Sequence, residues 1–115
     1  MPVERRSERL LRGPEGALVR ALLKSMGYVD DDLEKALVGV ACSWNSLCPG
    51  HYNLRALADA VKSGIRDAGG TPLEFGVIGP CDGVAQGHSG MRHILPARDL
   101  IAWEIEVMAE AHQLD

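Results

Sequence analysis

At 115 residues the chain is one domain's worth of sequence, long enough for a single modest core. A net charge of −4 argues against nucleic acid or an anionic membrane surface as the main partner, and no apolar run approaches the ~20 residues of a membrane span. The charged N-terminus is not signal-like, so a cytoplasmic protein is expected.

Residues 1–14 are rich in Arg and Glu and end in Gly13-Pro14, which reads as an N-terminal arm followed by a breaker; the domain proper is expected over 15–115. From Glu15 to Met26, Leu18, Val19, Leu22, Leu23 and Met26 recur at helical spacing, with Gly27 placed to end the helix. Asp30-Asp31-Asp32 supplies capping chemistry for a short helix around Leu33–Ala36. The alternating ligand spacing of a calcium loop is absent there.

Leu37–Cys42 is a short apolar run without polar alternation, which predicts a strand buried on both faces, as in a parallel sheet. It leads straight into Ser43-Trp44-Asn45-Ser46-Leu47-Cys48-Pro49-Gly50-His51, a loop dense in hydrogen-bonding and ligand-type side chains. Leu54, Leu57, Ala58, Val61 and Ile65 then form one helix stripe, with Asn53 as its expected N-cap and Gly69-Gly70 as its end. A second strand is predicted over Leu73–Ile78. In the loop Pro80–Arg92 that follows, Gly83, Gly87 and Gly90 are interspersed with Cys81, Asp82 and His88. A final helix begins near Pro96 and is expected to turn Leu100, Ile101, Ile105 and Met108 inward, with Trp103 packed.

The pattern helix, strand, loop, helix, strand, loop, helix predicts an α/β layered sheet with parallel strands and flanking helices. Both ligand-rich loops follow strands, so both leave the sheet at its carboxyl edge, where open α/β sheets collect their ligands. Thiols are soft ligands and carboxylates hard ones, so Cys81 and Asp82 suit different metals. The odd count of three cysteines, Cys42, Cys48 and Cys81, fits reduced thiols or metal ligands better than a disulfide framework. A phosphate cradle is disfavoured, because no Lys-Ser/Thr of a P-loop is present.

The residues of the two loops carry a resemblance. Ser43-Trp44-Asn45, Pro49-Gly50-His51 and Leu54-Arg55 are similar to the first signature of the dihydroxy-acid dehydratase/phosphogluconate dehydratase family. Ala68–Phe75 resembles that family's lead-in to its next strand, and Cys81–Arg92 with Leu95-Pro96 and Arg98 resembles its metal-site loop. The likeness runs from about residue 5 to the end.

The resemblance implies the truncated N-terminal portion of a larger α/β domain in a hydro-lyase that converts a 2,3-dihydroxy acid to a 2-keto acid, as in branched-chain amino-acid synthesis. It implies an iron–sulfur cluster, [2Fe-2S] or [4Fe-4S], and Mg²⁺. Asp82 matches the magnesium-binding aspartate, Cys81 is a cluster-ligand candidate, and His51, Asn45 and His88 lie near substrate or cluster. One branch carries a ligand cysteine directly after the Pro of the first loop; here Gly50 holds that position, and Cys48, two residues earlier, is not its equivalent. Further departures are Asn53, Gln86, Ala97 and His93-Ile94. The family's later cysteine–aspartate–lysine motif and its serine base are not in these residues, so no catalytic residue is assigned. The 115-residue chain by itself is expected to be inactive, with the C-terminal portion of the same enzyme as its missing partner and a homo-oligomer as the full-length state. The alternatives are a segment of a sugar-acid dehydratase and a stand-alone, non-catalytic α/β domain.

Overall fold

The computed structural model of the chain describes residues 4–115. Its elements in order are α1 (Ser7–Leu11), α2 (Ala17–Ser25), α3 (Asp30–Leu33), β1 (Leu37–Cys42), α4 (Leu54–Asp67), β2 (Thr71–Gly76), α5 (Asp82–Ala85), a 3₁₀ turn (Ser89–His93) and α6 (Ile94–Ala111). Strands β1 and β2 pair in parallel, from Leu37 opposite Thr71 to Cys42 opposite Gly76, with α4 as the crossover between them. The expected α/β layering with parallel strands and flanking helices is therefore present.

Local chemistry accounts for the boundaries. Gly27 and Gly69 take positive φ, +99° and +87°, directly after α2 and α4, the conformation that ends a helix at low cost for glycine. The aspartate run fills the first turn of α3, where Asp32 Oδ2 accepts from the Val29 amide at 2.9 Å. The helix therefore lies three residues earlier than expected, over the aspartates themselves. Helix α4 starts after Asn53, but the Asn53 side chain makes no capping bond. Strand β2 begins at Thr71 because the Thr71 amide donates to Ala36 O at 2.8 Å and its hydroxyl to Asp32 O at 2.6 Å.

The core centres on Leu11, Leu33 and Leu37, with Val19, Leu23, Leu73 and Leu114 packed around them. Leu11 brings α1 into this cluster, so part of the arm expected over 1–14 is helical and packed; residues 1–3 lie outside the described residues. Asp115 closes the other end. Its carboxylate accepts from the Ser7 amide (2.9 Å), the Ser7 hydroxyl (2.6 Å) and the Leu37 amide (2.8 Å), and its own amide donates to Leu37 O at 2.9 Å. Leu114 lies over Gly39 of β1 so closely that a Cβ at 39 would fall 2.6 Å from Leu114 Cδ1.

Two expectations about burial are corrected. Strand β1 is not buried on both faces: Leu37 and Val40 are buried, whereas Gly39 and Ala41 are exposed, because only one neighbouring strand and one crossover helix cover it. In α6 the buried residues are Ile94 and Ala97, while Leu100, Trp103 and Ile105 are 56%, 62% and 40% exposed. Leu18, Leu22 and Met26 of α2 and Leu57 and Val61 of α4 are also exposed. The two-stranded sheet is too narrow to receive the full apolar stripe of each helix. No helix among the described residues is long and apolar enough to cross a membrane.

Candidate functional site

The two ligand-rich loops leave β1 and β2 at the same edge, as parallel pairing requires, and they are bonded to each other. Asn45 is the clamp. Its Oδ1 accepts from the Leu47 and Cys48 amides at 2.9 and 3.0 Å, which curls the first loop, and its Nδ2 donates to Gly79 O of the second at 2.7 Å. His51 completes the join. Its Nδ1 lies 2.7 Å from Ser43 O and 2.9 Å from Ser43 Oγ. A carbonyl only accepts, so Nδ1 carries the proton and Nε2 keeps its lone pair in the neutral ring.

Gly79 makes this contact possible. A Cβ built there would fall 2.6 Å from His51 Cε1 and 3.1 Å from Ser43 O, so any side chain would drive the loops apart. Sequence reading noted Gly79 only as one of several glycines; the need for it at this position arises from a neighbour 28 residues earlier in the chain.

Cys81 precedes α5 with extended backbone, and Asp82 opens that helix, exposed to solvent. The thiols of Cys48 and Cys81 meet across the two loops. Their mutual hydrogen bond is the main cause that holds Cys81 below the usual cysteine range, with the Val84 and Gly83 amides acting in the same direction. The same contact pushes Cys48 up. Cys42 stands apart on β1, its sulfur 3.9 Å from Leu54 O. All three are free thiols. Cys48, set aside in the sequence reading, is thus the residue that faces Cys81; spacing along the chain carries no sign of a partner supplied by the other loop.

His88 serves its own loop. Its Nε2 donates to Val84 O at 2.7 Å and its Nδ1 accepts from the Gly90 amide at 3.0 Å, so both ring nitrogens are engaged. The loop expected over Pro80–Arg92 is accordingly ordered as one short helix and a 3₁₀ turn. The Arg55 guanidinium lies 3.5 Å from the Trp44 ring centroid, and Trp44 Nε1 donates to Tyr52 O at 3.0 Å, which fixes the indole beside the first loop. An apolar cavity of about 450 Å³ adjoins the loops, lined by Trp44, Leu47, Ile78, Pro96 and Leu100 among others; neither Cys81 nor Asp82 lines it.

The donor set fits the implied groups in part. Two adjacent thiols are soft donors of the kind that hold iron–sulfur units, and Asp82 is a hard oxygen donor suited to Mg²⁺. Among the described residues no three His, Cys, Asp or Glu side chains converge on one point, so the segment supplies a fraction of each coordination shell.

An α/β segment that presents thiol, carboxylate and imidazole on two clamped loops defines a class of ligand-binding protein. Comparison with known sequences makes it specific. Residues 35–115 match the family model for the N-terminal region of dihydroxy-acid/6-phosphogluconate dehydratases. The chain is 56% identical over 111 residues to a dihydroxy-acid dehydratase of Ignicoccus hospitalis, 56% over 110 residues to one of Methanothrix thermoacetophila and 53% over 110 residues to one of Pyrococcus furiosus. Each match covers 96% of this chain and 20% of the relative's length. The chain belongs to the dihydroxy-acid/6-phosphogluconate dehydratase family and corresponds to its N-terminal portion.

Proposed function

We propose that this chain forms the N-terminal part of the active site of a dihydroxy-acid dehydratase, a cytoplasmic hydro-lyase that converts a 2,3-dihydroxy acid to a 2-keto acid in branched-chain amino-acid synthesis. The observation that carries the reading is the clamp Asn45–Gly79–His51, which sets the two family motifs side by side at the carboxyl edge of the sheet. The printed names of the relatives point the same way.

In this reading Asp82 contributes one oxygen to Mg²⁺ and Cys81 one thiolate to an iron–sulfur cluster. Bound there, the two groups would supply Lewis acidity toward the substrate's carboxylate and its departing C3 hydroxyl. The protein's own residues do the rest of what this segment contributes. Asn45 holds the loops at fixed separation. His51, neutral and with its Nε2 lone pair unused by Ser43, offers an acceptor to a substrate hydroxyl. The apolar cavity beside Trp44 and Leu47 favours an aliphatic substrate tail over the polyhydroxylated tail of a sugar acid.

A chimera tests this. The matching N-terminal residues of the Ignicoccus relative are replaced by this chain, and the product is assayed with a branched 2,3-dihydroxy acid and with an aldonic acid. Turnover of the former in preference to the latter is expected. A folded chimera that dehydrates only the aldonic acid would move the assignment to the sugar-acid branch, and one that dehydrates neither would leave a non-catalytic segment.

A further inference from the structure

Cys48 has no role in the family pattern, yet its sulfur meets that of Cys81 across the two loops. We propose that Cys48 and Cys81 form an oxidation-sensitive dithiol, which a small hydroperoxide converts into an inter-loop disulfide. Three observations carry this. The thiols are in contact in the folded chain. Both are partly exposed, so a small oxidant reaches them. The segments that bear them are already fixed to one another by Asn45 and by the His51–Gly79 contact, so little ordering is needed to join them.

The chemistry balances with hydrogen peroxide as oxidant. One sulfur attacks the O–O bond, an S–O bond forms, and hydroxide leaves to be protonated to water. The second sulfur attacks the sulfenic sulfur, the S–S bond forms, and the hydroxyl departs as a second water. Two thiols are oxidised to one disulfide while the peroxide oxygens are reduced. The reaction needs the two thiols alone and does not depend on the dehydratase reading. A metal bound to Cys81 would compete with it, since that sulfur cannot serve both.

Cys42 is a control within the same chain, because its sulfur lies against Leu54 O and not in the pair. The reduced 115-residue chain is treated with hydrogen peroxide, remaining thiols are alkylated with iodoacetamide, and tryptic peptides are weighed. The expected product is a Cys48–Cys81 linked peptide, reversed by dithiothreitol, with Cys42 alkylated. Cys42→Ser should link as the parent does. Cys48→Ser should leave Cys81 as a sulfenic acid that dimedone traps. In concentrated urea the selectivity should disappear and all three pairings should form. Alkylation of both Cys48 and Cys81 after peroxide, preferential linkage through Cys42, or an unchanged Cys48–Cys81 preference in urea would each overturn the proposal.

Discussion

Single contacts decide whether the two loops stay together. Gly79→Ala would place a methyl group 2.6 Å from the His51 ring and must displace it, at about 1–3 kcal/mol, the usual cost of overpacking. Urea unfolding of the variant against the parent measures this, and loss of the nuclear Overhauser contact between His51 and residue 79 reports the separation. Asn45→Ala strands three bonded groups, the Leu47 and Cys48 amides and Gly79 O, and is expected to cost about 1–3 kcal/mol by the same measurement. Asp115 ties the ends together and sets an acid limit. Burial pushes its carboxyl up, but the Ser7 hydroxyl, the Ser7 and Leu37 amides and the charge of Arg5 outweigh that and hold it below the usual carboxylate range. A depressed folded pKa means that the unfolded chain takes up the proton first. The stabilisation is therefore complete above the ordinary aspartate value of about 3.9 and is lost as pH falls through the lower folded value. Asp115→Asn should lower stability at neutral pH and flatten its decline below about pH 4, as followed by thermal unfolding at stepped pH.

At the level of elements, the order of helices and strands was legible because apolar periodicity and terminal glycines mark it locally. Gly27 and Gly69 stop their helices where expected, and β1 occupies the anticipated Leu37–Cys42. Which face of a helix is covered was not legible. Leu100 and Ile105 belong to a genuine stripe on α6, but a stripe says only that some surface covers it and not that this chain supplies that surface. The contrast yields a prediction. Leu100→Ser should change stability by no more than about 0.5 kcal/mol, whereas Leu37→Ala, at 1% exposure, should cost about 2–5 kcal/mol, both read from urea midpoints. The site was partly legible for the same reason as the strands. Parallel strands send their loops to one edge, so the meeting of the loops followed from topology. The Cys48–Cys81 contact and the fit of His51 against Gly79 depend on side chains from different loops and have no local signature.

Taken whole, the chain is more open than a self-contained domain of its length. Its radius of gyration is 17.1 Å, against about 13 Å for a compact chain of this size. Its accessible surface is 7925 Å², against about 6,100 Å² from the size scaling of monomers. Much of the excess is apolar, from Leu18 and Met26 on α2 to Trp103 on α6. With relatives five times longer in the same family, that surface fits one part of a larger body. The donor inventory agrees, since too few ligands converge here to complete either metal shell. The isolated chain should accordingly show no dehydration of a 2,3-dihydroxy acid above a blank. The central claim is that its second loop, anchored by the clamp, brings a metal-holding carboxylate to the site of a complete enzyme. Asp82→Asn in the chimera with the Ignicoccus relative tests it most directly. Even outer-shell partners of a metal are worth about 10–100-fold, so activity should fall by more than about 100-fold with the circular dichroism spectrum unchanged. Near-normal turnover by that variant would contradict the account.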